Sequence, residues 1–199
     1  MTTPKTLLEL AGATPAPAAL SESAVVVIDA QREYEEGPIA LPAVHAAIAE
    51  ISALVARARR QGRPVLHVVH RGKAGGLFDP EAGGRIIEAL KPHDGERVIE
   101  KTLPNAFAGT ELHEAVKALG VQKLVVCGFM THMCVSSTVR AALDLGLSST
   151  VVANATATRD LPSQVGGENI GWEALQLASL AALADRFATV VAAEGEVPN

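Results

Sequence analysis

Cys134 follows a short apolar run, Leu124 to Cys127, and a tight turn, Gly128-Phe129-Met130-Thr131-His132-Met133, at the point where a helix is predicted to begin. A helix start leaves its first N–H groups unpaired and carries partial positive charge. A thiolate there is stabilised, and the same N–H groups can hold a developing oxyanion. Cys134 is therefore a candidate nucleophile that still needs a base and a second cation.

Both stand at the ends of other predicted strands. Ser23 to Ile28 reads as an apolar strand that stops at Asp29, and the polar stretch Ala30 to Tyr34 beyond it has no helical period. Arg97 to Lys101 is short and β-branched and breaks at Thr102-Leu103-Pro104-Asn105, so Lys101 also ends a strand. In a parallel sheet such ends share one edge, where residues distant in sequence converge. There the Lys101 ammonium would lower the thiol pKa from about 8.5 by roughly one to several units. Asp29 would take the thiol proton, return it to a leaving nitrogen and then activate water.

The elements that must position these residues alternate. After an Ala/Pro-containing lead, residues 1–22, and the first strand, Pro42 opens a helix whose Val44, Ile48, Ile51, Val55 and Ala58 share a face up to Gly62. A second strand, Pro64 to Val69, precedes a Gly-rich segment, Arg71 to Gly84, which is a candidate lid, and a short helix is predicted from Arg85 to Leu90. Thr110 and Glu111 start a helix closed by Gly120, strand four runs from Lys123 to Cys127, and a helix spans Cys134 to Gly146. Strand five is Thr150 to Ala153, an Ala/Leu-rich helix covers Trp172 to Arg186, and strand six is Thr189 to Ala192. This alternation predicts an α/β fold: one domain over residues 1–199 with a doubly wound, mainly parallel six-stranded sheet and helices on both faces. Pattern alone does not order the strands.

Three ordered motifs, Val-Ile-Asp29-Ala-Gln31-Arg-Glu-Tyr34, then Glu-Lys101 with Asn105-Ala-Phe107-Ala-Gly-Thr110-Glu-Leu, then Gly128-Phe-Met-Thr131-His-Met-Cys134-Val, make the chain resemble the isochorismatase-like cysteine hydrolases. That family includes nicotinamidases and N-carbamoylsarcosine amidases, and the resemblance runs from about Ala24 to Val191. It implies strand order 3-2-1-4-5-6, an Asp29-Lys101-Cys134 triad, and a non-proline cis peptide at Phe129-Met130 that aims the Met130 and Cys134 N–H groups at one oxyanion. It also implies an oligomer, a dimer or tetramer. Strands one and four would then flank the topological switch point, where open α/β sheets form their crevice.

The substrate-binding set is read as Gln31, Tyr34, His70, Phe78, Phe107, Thr131 and His132. Gln31 would orient hydrogen bonds near Asp29, and Thr131 would fix the turn. Tyr34 matches an aromatic family position, whereas Phe78 and Phe107 serve equally as pocket or plain core in a chain with 3% aromatic residues. His132 is either a substrate contact or a solvated turn residue. Cys127, inside a strand, reads as core.

No metal is expected. The Asp-x-His ligand pattern of the nicotinamidase-like members is not found, and His67 and His70, three apart on a strand, point to opposite faces. No nucleotide cofactor is expected either, since no Gly-rich stretch matches a P-loop and Asp29-Ala-Gln31 stands where G-x-G-x-x-G would follow strand one. A formal charge of −5 with scattered Lys and Arg argues against nucleic acid and anionic membranes as partners. The start of the chain does not read as a signal segment, and no apolar run approaches a membrane span. Two cysteines, one inside a strand, argue against a disulfide framework and for a reducing, cytoplasmic setting.

These readings converge on a metal-independent cysteine amidohydrolase that cleaves an amide or carbamoyl C–N bond of a small molecule through a Cys134 thioester. The alternative is a non-catalytic ligand-binding protein of the same fold with Cys134 as a redox sensor, although a sensor needs no Asp29.

Overall fold

A computed structural model describes residues 3–199; Met1 and Thr2 of the lead segment lie outside the described residues. The order of elements is α1 (Leu7–Leu10), β1 (Ser23–Ile28), α2 (Val44–Arg60), β2 (Val65–His70), β3 (Arg97–Lys101), α3 (Leu112–Ala118), β4 (Lys123–Phe129), α4 (Ser136–Asp144), β5 (Ser148–Ala157), α5 (Trp172–Arg186) and β6 (Thr189–Val191). All six strands are parallel and lie in the order β3-β2-β1-β4-β5-β6, as the resemblance implied.

β1 is buried along its whole length because both sheet faces are covered. Val25 and Val27 face one core with the Val44, Ile48, Ile51, Leu54 and Val55 stripe of α2. Ala24, Val26 and Ile28 face the other, with α3, α4 and Leu183 of α5. The lead is anchored to the same body: the Leu7 N–H donates to Asp185 and the Ala18 N–H to the Thr150 hydroxyl, each at 2.8 Å.

Four boundaries differ from the sequence reading, each for a local reason. The helix expected over Arg85 to Leu90 shrinks to a single tight turn, Glu88–Leu90. Its backbone is used sideways instead, since the Arg32 N–H donates to Arg85 O and the Ile87 N–H to Ala30 O, both at 2.9 Å. β4 continues through Phe129, pairing it with Ala157, and β5 runs on past Ala153 across a register shift between Val126 and Gly128. The helix expected at Cys134 begins only at Ser136, because Thr131–Val135 form a wider, π-helical turn.

Gly128 sets the closeness of β1 and β4 at the edge that matters. It pairs with Ile28. Its φ is +109°, and a Cβ there would stand 2.0 Å from Ile28 O. Glycine alone combines that conformation with that approach. The residues just beyond, Asp29 on one strand and the turn to Cys134 on the other, are thereby held side by side.

Candidate active site

Asp29, Lys101 and Cys134 meet at the carboxyl edge of the sheet. Lys101 Nζ donates to Asp29 Oδ2 at 2.7 Å and to Cys134 Sγ at 3.3 Å. A third contact, 3.4 Å to His70 Nδ1, completes the ammonium's surroundings. Asp29 adopts φ 48°, a left-handed conformation that Asp tolerates better than most residues and that turns its carboxylate back over the strand ends. Asp29 is fully buried and Lys101 and Cys134 almost so. Cys127, as the sequence suggested, is core within β4.

Burial decides the protonation pattern. It pushes the Asp29 pKa up against the pull of the Lys101 ammonium. The Cys134 thiol is pushed up to about 12 by burial and by the Asp29 charge, with Lys101 acting the other way. This corrects the expectation of a lowered thiol pKa: the sulfur lies two residues before an α-helix rather than at its start, and desolvation outweighs one nearby cation. The resting sulfur is a thiol, and the raised carboxylate pKa makes Asp29 the better base for it.

The turn before Cys134 carries the cis peptide Phe129-Met130. Met130 O accepts the N–H groups of Met133 at 3.0 Å and Val135 at 3.2 Å, so the intervening Cys134 N–H is left out of that carbonyl. Thr131 is fully buried, and its hydroxyl has no partner among the described residues. His132 holds Thr158 Oγ1 through Nδ1 at 2.5 Å, while its buried Nε2 and Asp29 Oδ1 also lack hydrogen-bond partners there. Burial and the nearby Arg159 cation lower the His132 pKa. Buried polar atoms without partners are rare because each costs about 1–3 kcal/mol. These three atoms lie at the carboxyl ends of the neighbouring strands β1 and β4.

The remaining expected contacts divide. Tyr34 is buried with its ring edge-on to Phe78 at 5.3 Å and to Phe129 at 5.6 Å. Burial, then the Asp29 charge, raise the pKa of its phenol. Phe78 also lies 5.0 Å from the His70 ring, so Tyr34, Phe78 and His70 form one wall. His70 stays neutral as burial and Lys101 lower its pKa. Phe107 packs instead against the cluster containing Cys134, with its ring against His113. Gln31 orients hydrogen bonds next to Asp29: its Oε1 accepts the His70 N–H and its Nε2 donates to His70 O, both at 2.9 Å, and to Gly84 O at 2.7 Å, so both amide protons are spent on bracing β2 and the Gly-rich segment. His67 turns to the opposite face, where it meets Glu96.

Arg159 was missed by the sequence reading. It follows Thr158 at the end of β5, on the same edge as the triad, but a strand ended at Ala153 leaves it in a loop. Its Nε is buried without a partner, and its Nη1 donates to the neighbouring Asp160 carbonyl at 3.2 Å. Its charge reaches both Tyr34 and His132.

The chain matches the Isochorismatase domain over residues 23–195. It belongs to the isochorismatase family. An isochorismatase of Pseudomonas putida shares 43% identity with a TM-score of 0.93, covering 98% of this chain and 100% of that one. A secreted isochorismatase effector, Isc1, of Verticillium dahliae is 36% identical over 92% of this chain and 94% of its own. A ureidoacrylate amidohydrolase of Variovorax paradoxus is 27% identical over 72% of this chain and 73% of its own. This isochorismatase-family chain is thus a hydrolase by family, with an amidohydrolase among its relatives. No helix among its described residues is long and apolar enough to cross a membrane.

Proposed function

We propose that the protein is a metal-independent cysteine amidohydrolase of small amide or carbamoyl compounds. The observation that carries this reading is the convergence of Asp29, Lys101 and Cys134 on one ammonium. Asp29 removes the thiol proton as sulfur attacks the carbonyl carbon, and the carbonyl becomes an oxyanion held by the Met130 and Cys134 N–H groups. Collapse breaks the C–N bond, and protonated Asp29 delivers its proton to the departing nitrogen. Water then attacks the thioester, gives its proton to Asp29, and the C–S bond breaks as the thiol reforms. Lys101 keeps its charge throughout and offsets the negative charge passing between carboxylate and sulfur.

The Arg159 Nε and the Thr131 hydroxyl, at the ends of β5 and β4, are buried donors without a protein partner, which suits a substrate that bears a further carbonyl or carboxylate oxygen. The redox-sensor reading is weaker: a thiol pushed up to about 12 is a poor sensor, because oxidation follows thiolate character. Two buried, unpaired cysteines suit the reducing cytoplasm. The exposed side of α5, with Leu177 71% exposed among Ala174, Ala178, Ala181 and Ala182, suits burial in a homo-oligomer.

The test is intact-mass spectrometry after incubation with a panel of small amides and hydroxylamine. An acyl adduct on Cys134, together with hydroxamate release, supports the enzyme. Oxidation of Cys134 without turnover of any amide overturns it.

A further inference from the structure

The buried carboxylate of Glu33 plays no part in the chemistry above. The side chain is 5% exposed, and it is spent on backbone rather than on a cation: Oε2 accepts the Phe78 N–H at 2.9 Å. The two segments are also joined through the main chain, since the Glu33 N–H donates to Gly83 O at 2.8 Å. Gly83 leaves room for this arrangement, because a Cβ there would stand 2.1 Å from Glu33 Oε2. Phe78 is held at φ 57°, a left-handed conformation that an aromatic residue rarely adopts. In that pose its ring lies against Tyr34 and His70, and His70 in turn touches Lys101. The Gly-rich segment therefore reaches Lys101 through the Phe78 and His70 rings, and the backbone bearing Phe78 is tied to Glu33.

We propose that Glu33 is a positioning residue that controls access to the triad: its carboxylate clamps Phe78 as a closed wall against His70 and Tyr34, so that Cys134 is open to small substrates and closed to bulky ones. The inference rests on the amidohydrolase reading only in taking Cys134 as the reacting atom. Glu33 touches no substrate; it acts through Phe78. A carboxylate bound to a backbone N–H suits this role, because a charge-assisted hydrogen bond is about twice as strong as a neutral one and holds the main chain whatever the ring does.

The test measures access to the sulfur and needs no turnover. Rates of Cys134 alkylation by iodoacetamide and by N-pyrenylmaleimide are compared by site-resolved mass spectrometry in the full-length protein. The ratio of bulky to small reagent cancels any change in thiol reactivity. Glu33→Ala and Phe78→Ala should each raise that ratio at least tenfold, and the double variant should raise it no further than Phe78→Ala alone. Gly83→Ala is the second route. The atoms nearest its new methyl, at 2.1 and 2.8 Å, are Oε2 and Cδ at the flexible end of Glu33, so it displaces the carboxylate and should reproduce Glu33→Ala.

Cys127, fully buried in β4, reports on the fold as a whole. An unchanged ratio in Glu33→Ala and Gly83→Ala beside a raised one in Phe78→Ala would overturn the proposal, as would additive gains in the double variant. Labelling of Cys127 in step with Cys134 would also overturn it, because the gain would then come from general loosening. None of these outcomes depends on whether Cys134 hydrolyses an amide.

Discussion

The Lys101 ammonium stands 2.7 Å from the Asp29 carboxylate with both side chains sealed from solvent. A pair so buried contributes little net stability, because desolvation offsets the attraction. Its value lies in what each charge does to Cys134: Asp29 raises the thiol pKa and Lys101 lowers it. Asp29→Asn removes the raising influence, so carbamidomethylation of Cys134 should speed up. Hydrolysis by the same variant should fall about 100- to 10,000-fold with the loss of the general base. Slower alkylation together with retained turnover in Asp29→Asn is the result this account does not survive.

A thiol at about 12 also predicts an unusual pH profile. Only the thiolate alkylates, so the rate constant of Cys134 with iodoacetamide should climb about tenfold per pH unit from neutrality to pH 10, whereas an unperturbed cysteine levels off near about 8.5. Lys101→Met withdraws the cation that favours the thiolate and should slow the reaction throughout that range. A plateau below pH 9 would show that the sulfur is not buried as described.

Glu96 holds the opposite end of β2 in place. It receives Arg59 at 2.7 and 2.8 Å, His67 at 2.8 Å and the His93 N–H at 3.0 Å. Burial by itself would raise its pKa, but the Arg59, His93 and His67 contacts more than reverse that and bring it from 4.5 to about 2. A depressed folded pKa means that the stabilisation is present above the unfolded value and is lost as pH falls through the folded one. At about 1.4 kcal/mol per unit, Glu96→Gln should cost up to about 3.5 kcal/mol at pH 7. Denaturant melts of the two proteins should converge as the pH approaches about 2.

How much of this was written in the chain depends on the distance over which the information acts. Asp29 and Lys101 were legible because each ends a β-branched run, and parallel strands bring such ends to one edge without further knowledge. Cys134 was legible in position but not in state. A turn of mixed polar and apolar residues does not announce a π-helical geometry, and the desolvation that raises the thiol comes from side chains dozens of residues away. Gln31 was legible as a residue that orders hydrogen bonds near Asp29, but not its partners, because the His70 and Gly84 carbonyls it holds are brought to it only by the fold. Arg159 was lost through one strand boundary: strand five was ended at Ala153, while β5 continues past it because Phe129 pairs with Ala157.

The α5 helix buries only Leu183 fully and leaves Leu177 71% exposed. A helix with that much small and apolar surface in water invites a partner. If a second copy covers it, Leu177→Glu should turn the assembly into a monomer in sedimentation equilibrium while circular dichroism stays unchanged. A wild-type chain that sediments as a monomer at tens of micromolar would rule the interface out.

Gly128 offers the sharpest link from one residue to the chemistry. A methyl group at this position would stand 2.0 Å from Ile28 O, and φ +109° is hostile to any L side chain. The clash is with main chain in the sheet interior, so nothing flexible can yield. Gly128→Ala should combine overpacking of about 1–3 kcal/mol with a conformational penalty of about 1 kcal/mol. For a domain of this size that lowers Tm by roughly 5–15 °C. The larger effect should be on turnover. Asp29 follows Ile28 directly, and the turn to Cys134 follows Phe129, so strands forced apart here carry the base away from the sulfur. A displacement near 1 Å costs about 100-fold in rate. At a temperature where Gly128→Ala is still fully folded by circular dichroism, kcat should therefore fall by about that factor. Wild-type turnover in that folded variant would show that the approach of β1 to β4 does not set the triad's geometry.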